Sequence, residues 1–344
     1  MAAVKFMRNT HVLLTILTLA SSFSAAHGAQ RIDPQAVEKA TFSGKLSARD
    51  HTSPLLVKVE VLLDRAHFSP GEIDGKLGES VTKALAAYAD ARGLTKGATL
   101  TKELVSSLSS DTRPILTQYV LTEQDLKGPF TKHIPAKLEK MKGMKTVGYR
   151  DVKEAIAEKF HVSERLLVML NPGISINRVD QPIMVPNILT DESKGPATRI
   201  EIDKDQQTVK AYGPSGELVA FYPATVGSGE KPSPTGTFKI ISIDRNPNYR
   251  YNPNYKFKGV KTKRPFVIGP GPNNPVGIVW IGLSADGYGI HGTPDPSRVS
   301  KSESHGCVRL TNWDALALAA MAKKGLPVQF DDLPGSNGSN APSE

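Results

Sequence analysis

The only cysteine of the 344-residue chain, Cys307, lies in a segment whose neighbouring residue types are able to activate a thiol. A thiol attacks only as a thiolate, so it needs a base or a positive charge nearby. His291 and His305 are candidate bases, sixteen and two residues before Cys307, and Arg309 follows it by two residues. In an extended segment, residues two apart lie on the same face, which places Arg309 beside the thiol. This combination predicts a nucleophilic acyl-transfer site. The alternative is a buried, inert thiol, since free cysteine packs like a small apolar residue.

Of the two histidines, His291 is the better candidate for the base. It ends the strand-like run Tyr288–His291, and Gly292 after it lets the chain bend. The carbonyl of Gly292 is a natural hydrogen-bond partner for one ring nitrogen and would fix the tautomer, as a carboxylate does in a serine triad. His305 lies so close to the thiol along an extended chain that its side chain has little freedom to turn back. We therefore expect His305 to steady the loop or to line the substrate cleft.

The residues around the thiol indicate how a substrate is held. Ser304 and His305 lead into Gly306, which allows a close approach of backbone to substrate. The amides of Gly306 and Cys307 are able to stabilise a developing oxyanion. Arg309 can bind a substrate carboxylate or rigidify the thiol loop. Zinc binding is disfavoured because one cysteine and two histidines lack a fourth ligand and the chain has no C-x-x-C pair, so we expect no metal and no other cofactor.

The composition of the chain is that of a globular protein, and its length is that of a protein with more than one domain. Hydrophobic residues make up 39% and charged residues 22% of the chain, ordinary values that argue against wholesale disorder. The formal net charge is +9, but the lysines are scattered and no dense basic run is interleaved with aromatics. Nucleic acid is therefore disfavoured as a partner. The length of the chain predicts two or three domains.

Residues 1–28 predict a secretory signal peptide. Lys5 and Arg8 precede a mostly apolar run, His11–Ala25, and Ala26-His-Gly28 is a possible cleavage site. The apolar run is short for a membrane span, although an uncleaved N-terminal anchor is the alternative. No later stretch is long and apolar enough to span a bilayer. We therefore expect an exported protein of the periplasm or cell wall, without stable membrane insertion after cleavage and with its oligomeric state open.

Residues 54–112 predict a small all-α bundle. Apolar residues recur at helical spacing in three segments, which begin near Leu55, Ser80 and Thr101. The loop between the first two helices contains Pro70-Gly-Glu-Ile-Asp-Gly75 and resembles the loop of the three-helix peptidoglycan-binding domain. The resemblance implies attachment to peptidoglycan. The alternative is a generic helical bundle whose glycines serve the turns.

Residues 145–190 predict a small α+β module in the order strand, helix, helix, strand. Asn171-Pro-Gly173 ends the second helix. The strands and the helix caps are expected at Val147–Tyr149, Asp151, Ser163 and Ile183–Pro186. This order resembles the lysin-motif (LysM) carbohydrate-binding module. The alternative is a structural spacer.

Residues 197–331 predict a mainly-β domain, sandwich- or barrel-like, with a short C-terminal helix at Asp314–Lys323. Asn246–Pro275 is long for a connection between strands, and long ordered loops are usually functional, so we expect it to cap the site. The polar residues 334–344 predict a flexible tail. The expected strands lie at Ile200–Ile202, Thr208–Tyr212, Leu218–Val226, Thr237–Ile243, Phe266–Gly269, Ile278–Leu283 and Val328–Phe330.

Two motifs of this domain resemble those of the L,D-transpeptidase (YkuD-type) catalytic domain of bacterial cell-wall enzymes. They are Tyr288-Gly-Ile-His291-Gly-Thr and Ser304-His-Gly-Cys307-Val-Arg309-Leu, and Pro232-Ser-Pro-Thr235-Gly-Thr-Phe238 matches a third family motif near the cleft. The resemblance implies a cysteine acyl transferase that cleaves a peptidoglycan stem tetrapeptide after its third residue. It also implies that the acyl group passes from Cys307 to an amine of a neighbouring stem, which makes a 3→3 cross-link.

The chain is therefore expected to be multidomain, with an all-α bundle, a LysM-like α+β module and a mainly-β catalytic domain that acts on peptidoglycan. Water or a lipoprotein lysine could take the place of the stem amine, which would make the protein a carboxypeptidase or a lipoprotein-attaching enzyme. A different class of function is a non-catalytic wall-binding protein with a vestigial transferase domain. The presence of Cys307, His291 and Arg309 argues against that class.

Overall fold

The computed structural model of the protein describes residues 31–44, 51–94, 99–188, 195–227, 232–255, 260–301 and 306–331. These residues fall in one compact unit, Arg31–Glu344. The predicted signal peptide, residues 1–28, and the predicted tail, residues 334–344, lie outside the described residues and stay predictions. Within the described part of the chain, none of the helices has the length and apolar character needed to cross a membrane.

Four helices form the first part of the described chain. The second, third and fourth lie where the helical spacing of apolar residues predicts helices. Each of these three buries its apolar face. The last begins after Thr101, whose side-chain oxygen accepts a hydrogen bond from the amide of Leu104 at 3.1 Å. The helices are α1 (Pro34–Glu38), α2 (Pro54–Arg65), α3 (Glu79–Ala91) and α4 (Lys102–Leu108).

The loop between α2 and α3 is organised by a buried carboxylate of α2. Glu60 accepts hydrogen bonds from the amides of Asp74, Gly75 and Lys76, at 3.0, 2.7 and 3.2 Å. Gly75 has a φ of +73°, and a Cβ there would lie 2.6 Å from Cγ2 of Thr52. The glycine therefore serves the geometry of the turn.

The next part of the chain contains a two-stranded antiparallel sheet with three α-helices between its strands. Asp151 and Ser163 cap the second and third of these helices, as the sequence predicts. The predicted closing strand is also present. The elements are β1 (Leu116–Val120), α5 (Glu123–Lys127), α6 (Val152–Lys159), α7 (Glu164–Leu170) and β2 (Pro182–Pro186).

The predicted first strand at Val147–Tyr149 is wrong, because the partner of β2 is β1, which lies upstream of residues 145–190. The backbone of Val147–Tyr149 bonds to loops instead. The carbonyl of Tyr149 accepts from the amide of Thr131, and the amide of Val147 donates to the carbonyl of Pro270, both at 2.8 Å. The predicted order strand, helix, helix, strand is therefore not retained, because β1 is followed by three α-helices before β2.

One hydrophobic core runs through both of these parts. It contains Leu85 of α3 together with Leu166 of α7 and Val185 of β2. The segments predicted as two modules therefore pack against each other. We call residues 31–188 the N-terminal region. Its core also takes in Phe221 from the domain that follows.

The rest of the chain is built on a nine-stranded sheet and a separate two-stranded hairpin, β8–β9. The order across the large sheet is β5-β4-β3-β13-β7-β10-β11-β12-β6. The strands are β3 (Arg199–Asp203), β4 (Thr208–Tyr212), β5 (Leu218–Pro223), β6 (Thr225–Val226), β7 (Gly236–Arg245), β8 (Tyr249–Tyr251), β9 (Phe266–Ile268), β10 (Val279–Leu283), β11 (Gly289–His291), β12 (Val308–Arg309) and β13 (Pro327–Asp331).

The large sheet curls on itself. β5 and β6 lie at its two edges, yet only Ala224 separates them along the chain. A sheet whose edge strands are joined by one residue must bend until its edges approach each other. This gives the mainly-β, barrel-like domain that the sequence predicts. Its core is separate from that of the N-terminal region and includes the fully buried Ile200, Val209, Ile281 and Val328.

The last helix, α8 (Asn312–Met321), packs against β10 and β11. It begins two residues before the predicted start because the side chain of Thr311 accepts a hydrogen bond from the amide of Asp314 at 3.1 Å. The helix follows the cysteine segment closely, so its first turn lies next to the strands that hold the predicted site residues.

The long connection between β7 and β10 forms a cap, which we define as residues 246–255 and 260–275. The predicted strand at Phe266–Gly269 is present as β9, but it pairs with β8 and does not join the large sheet. The cap has a small apolar cluster that it shares with the N-terminal region. The members are Met141, Val147, Tyr251, Phe266 and Ile268.

Candidate active site

His291 is the last residue of β11 and is almost entirely buried, with 5% of its surface exposed. Its partner across the sheet is Trp280 of β10. The indole stacks on the imidazole, with ring centroids 5.7 Å apart and planes inclined by 17°. On the other side, β12 runs parallel to β11 and places Arg309 opposite His291. Three neighbouring strands therefore fix the position of the ring.

A hydrogen bond to the following residue orients the imidazole. Nδ1 of His291 lies 2.7 Å from the carbonyl oxygen of Gly292. Because a carbonyl only accepts, Nδ1 carries the proton and Nε2 is left as the basic nitrogen. Burial, and secondly the charge of Arg309, lower the pKa of His291 from 6.5 to about 4, while the bond to Gly292 acts in the opposite direction. The imidazole is therefore neutral at pH 7, the form that a general base requires.

Cys307 follows a glycine in a conformation that other residues rarely adopt. Gly306 has a φ of +94°, and its carbonyl accepts a hydrogen bond from Oγ of Ser233 at 2.7 Å. Sγ of Cys307 lies 3.7 Å from the carbonyl oxygen of Gly287, and the side chain is partly exposed. β12 starts at the next residue, so the thiol lies where the chain enters the sheet beside β11.

The thiol of Cys307, the imidazole of His291 and the guanidinium of Arg309 line one cleft of about 910 Å³. The cap contributes Asn246–Arg250 to the wall of this cleft, so the loop that the sequence predicts as a cover does line the site. The N-terminal region contributes Ala136–Glu139. The cleft is therefore formed by the large sheet, the cap and a segment from well before the barrel-like domain.

The charged side chains of the cleft are more often positive than negative. Arginine and lysine side chains bind carboxylates through charge-assisted hydrogen bonds. The cleft is therefore suited to a substrate that bears carboxylates. Its cations are Lys137, Arg245, Arg250 and Arg309, and its anions are Glu139 and Asp244.

The structure brings together the predicted nucleophile, the first histidine and the arginine. The carbonyl of Gly292 holds the imidazole, as the sequence predicts. Ser304 and His305 lie outside the described residues, so their roles stay predictions. In the part of the chain that the structure describes, no three or more His, Cys, Asp or Glu side chains cluster in a way that could hold a metal ion.

Three residues near the reacting groups are not singled out by the sequence. Trp280 covers one face of the base, and burial together with the charge of Cys307 raises the pKa of Tyr249. Asn312 packs against the backbone of Gly277 and Gly292. The one sequence signal in this area is the motif at Pro232–Phe238. Its Ser233 donates a hydrogen bond to the carbonyl of Gly306, the residue before Cys307.

Comparison with known proteins gives a family for the chain. Residues 197–330 match the profile of the YkuD family, the L,D-transpeptidase catalytic domain. The putative L,D-transpeptidase YkuD of Bacillus licheniformis is 32% identical over 182 residues, which are 52% of this chain and 92% of that protein. The putative L,D-transpeptidase YkuD of Bacillus subtilis is 27% identical over 182 residues, 53% of this chain and 94% of that protein. The probable L,D-transpeptidase YcfS of Escherichia coli is 29% identical over 193 residues, 53% and 59% of the two chains.

Among solved structures, L,D-transpeptidase 3 from Mycobacterium tuberculosis aligns with 45% of this chain and 76% of that chain. The sequence identity is 17% and the TM-score is 0.33. The sequence relatives, without the structural comparison, show that the chain is an enzyme of the transpeptidase class. More narrowly, the chain belongs to the L,D-transpeptidase family, and residues 197–330 are its catalytic domain. The family membership expected from the motifs is confirmed.

Proposed function

We propose that the protein acts on the stem peptides of peptidoglycan, with Cys307 as nucleophile and His291 as general base. The observation that carries the proposal is that both side chains line one cleft. The imidazole there is neutral and has its Nδ1 proton held by the carbonyl of Gly292. A cysteine nucleophile needs such a base within its site. Membership of the family supplies the reaction class.

In the first step, Nε2 of His291 takes the thiol proton and Sγ of Cys307 attacks the carbonyl carbon of the third residue of a stem tetrapeptide. The amides of Gly306 and Cys307 stabilise the oxyanion of the tetrahedral intermediate. When the carbonyl re-forms, its bond to the nitrogen of the fourth residue breaks. His291 returns the proton to this leaving amine. The products are a thioester on Cys307 and one released amino acid.

In the second step, an amine of a neighbouring stem attacks the thioester carbonyl and loses a proton to His291. The carbon–sulfur bond breaks, the thiol is regenerated with that proton, and the new amide is a 3→3 cross-link. Water or a lipoprotein lysine are the alternative acceptors for the same thioester. Water would make the protein an L,D-carboxypeptidase, and lysine would make it a lipoprotein-attaching enzyme.

The cations of the cleft give the substrate its orientation in this proposal. Arg309 lies opposite the base across the sheet, and Arg250 and Lys137 lie on the walls formed by the cap and the N-terminal region. Carboxylates of a stem peptide are the groups that these side chains would bind. The catalytic residues thus act on the carbonyl while the surrounding cations hold the substrate on either side of it.

The proposal extends to location and to wall binding. The predicted signal peptide supports export to the periplasm or cell wall. The loop at Pro70–Gly75, which resembles that of the peptidoglycan-binding domain, supports binding of peptidoglycan by the N-terminal region. Sedimentation of Cys307→Ala with isolated sacculi tests this, because the variant binds without reacting. We expect the variant to sediment with the sacculi, and recovery of all of it in the supernatant would contradict wall binding.

Mass spectrometry of the products formed from disaccharide-tetrapeptides tests the reaction. Wild type should release the fourth residue and form 3→3 dimers, Cys307→Ala should form none, and His291→Ala should be strongly slowed. Intact-protein mass after exposure to a carbapenem should show one adduct on wild type and none on Cys307→Ala.

The possible results separate the alternatives. Dimers from Cys307→Ala would show that the nucleophile is misassigned. Tripeptides without dimers would indicate a carboxypeptidase. Wild type that forms neither products nor an adduct would support the non-catalytic wall-binding protein.

A further inference from the structure

The first turn of α8 is held by three side chains of the N-terminal region. Each of its first three residues has a different partner there. Asn312 donates a hydrogen bond to Glu158 at 2.9 Å. The ring of Trp313 stacks on that of His161, with centroids 4.9 Å apart. Asp314 accepts a hydrogen bond from the hydroxyl of Ser69 at 3.0 Å.

The contact to Asn312 leads towards the active site. The Asn312 side chain is buried, and its Nδ2 donates to Oε1 of Glu158 at 2.9 Å and to the carbonyl of Pro272 at 3.1 Å. Its Oδ1 accepts from the amide of Ile278 at 3.2 Å. Both ends of the amide are therefore bonded, and its orientation is defined by the N-terminal region, the cap and the chain just before β10.

The same amide packs on the backbone next to the base. A Cβ on either Gly277 or Gly292 would overlap Oδ1 of Asn312, so both residues lie directly against it. The carbonyl of Gly292 is the group that holds Nδ1 of His291 at 2.7 Å. A continuous line of contacts therefore runs from Glu158 through Asn312 and Gly292 to the imidazole.

Glu158 is itself fixed in place. The hydroxyl of Tyr149 donates to the same Oε1 atom at 3.0 Å. Burial raises the pKa of Glu158 to about 7. The hydrogen bonds from Asn312 and Tyr149 act in the opposite direction and lower this pKa. Oε1 accepts both hydrogen bonds whether or not the other carboxyl oxygen carries a proton, so glutamine can take over this part of the role.

We propose that Glu158 is a positioning residue for His291, acting through the side-chain amide of Asn312 on the backbone of Gly292. The inference rests on the proposed function, in which His291 is the base. Without the Glu158 acceptor, the amide of Asn312 keeps the bonds to Pro272 and Ile278 but loses the shortest of its three, so it is held less rigidly. Gly292 then packs against a less rigid surface. A displacement of about 1 Å can cost on the order of a hundredfold in rate, so we expect a partial loss of support to cost about tenfold.

The test is the rate of Cys307 acylation by a carbapenem in single-turnover experiments on the full chain. Glu158→Ala should lower the rate constant at saturation about tenfold, with the half-saturating concentration and the final acylated fraction unchanged. Glu158→Asp keeps the charge but is one methylene shorter, so it should be slow as well. Glu158→Gln should react within about twofold of wild type. The matched control is Glu123→Ala, an exposed glutamate of α5, which should match wild type.

Each outcome decides the question. Glu158→Ala that reacts at the wild-type rate would overturn the inference and leave the proposed function intact. Glu158→Gln that is as slow as Glu158→Ala would also overturn it, because the acceptor would then not be the property that matters. If Glu158→Ala does not fold, Glu158→Asp and Glu158→Gln decide between them. Wild type that is not acylated at all would instead reject the proposed function.

Discussion

Replacing Arg309 with glutamine is expected to raise the pKa of His291. The two residues are opposite each other on β12 and β11, and the guanidinium charge disfavours a second positive charge on the imidazole. Burial is the larger cause of the low pKa and is unchanged by the substitution. The pKa should therefore rise by a limited amount and stay below 6.5.

The size of the effect follows from the pKa of His291, which is lowered from 6.5 to about 4. At about 1.4 kcal/mol per pKa unit, the difference corresponds to roughly 3 kcal/mol against the protonated ring. Because Arg309 is the smaller cause, its removal should raise the pKa by about one unit, or ~1.4 kcal/mol. The folded protein binds fewer protons than the unfolded chain between pH 4 and 6.5, so this group lowers stability as the pH falls through that window. Arg309→Gln should reduce that fall.

The assay is an NMR titration of protein labelled with ¹⁵N-histidine, with the His291 signals identified by their absence from His291→Asn. Long-range correlations should show a neutral ring with the proton on Nδ1 down to about pH 5. Arg250→Gln is the matched control, since Arg250 lines the same cleft but is not a cause of the low pKa. The reasoning is refuted if His291 of wild type titrates near 6.5, or if both arginine variants shift it equally.

Three further predictions concern residues around the site. Burial raises the pKa of Asp314 from 3.8 to about 7, so its contribution to stability is complete below pH 4 and is lost as the pH rises through 7. Asp314→Asn should remove that part of the fall in Tm between pH 5 and 8, and equal pH dependence in the two proteins would contradict this. Ser233→Ala removes the hydrogen bond to Gly306, worth about 1 kcal/mol, and should slow carbapenem acylation about fivefold; an unchanged rate would show that the bond does not hold the thiol loop. Gly75→Ala should lower the free energy of unfolding in urea by about 2 kcal/mol because of its positive φ and close neighbours. Gly78→Ala, with open space around it, is the control.

The hydrogen bond that orients the imidazole could be predicted because it is encoded in a local motif. His291 and Gly292 are adjacent in sequence, so the bond between imidazole and carbonyl depends only on the bend at the glycine. Gly306 and Cys307 are adjacent as well, so the bend before the thiol is also a local feature. Family resemblance added the reaction, which no spacing of residues could supply.

The pairing of the strands that bring these motifs together could not be predicted in the same way. The strand-like run Tyr288–His291 contains β11, but β11 has three residues and β12 has two, which is too short to show which strands they pair with. Their parallel pairing places Arg309 opposite His291, and this pairing is decided by the large sheet as a whole. Longer strands such as β3 and β13 bury alternate residues and are visible from sequence.

The wrong strand prediction in the N-terminal region has a related cause. Leu116–Val120 and Val147–Tyr149 are both strand-like, but only the first finds an edge to pair with, in β2. Strand formation depends on the partner more than on the residues themselves. The contact of Glu158 with Asn312 has no local signal either, because the two residues lie far apart in sequence and meet only through packing of α6 on α8.

The N-terminal region also completes the sheet of the catalytic domain. β5 is an edge strand, and edge strands leave backbone groups open to other chains. Phe68 forms a parallel bridge to Phe221, with 2.9 Å bonds from the amide of Ser69 to Phe221 and from the amide of Phe221 to His67. The same region covers this edge, lines the cleft and, in our proposal, positions the base through Glu158. Peptidoglycan bound to it, as proposed above, would therefore act on the catalytic domain through packed contacts. A flexible tether would allow binding and catalysis to vary independently, whereas packed contacts of this kind would couple them.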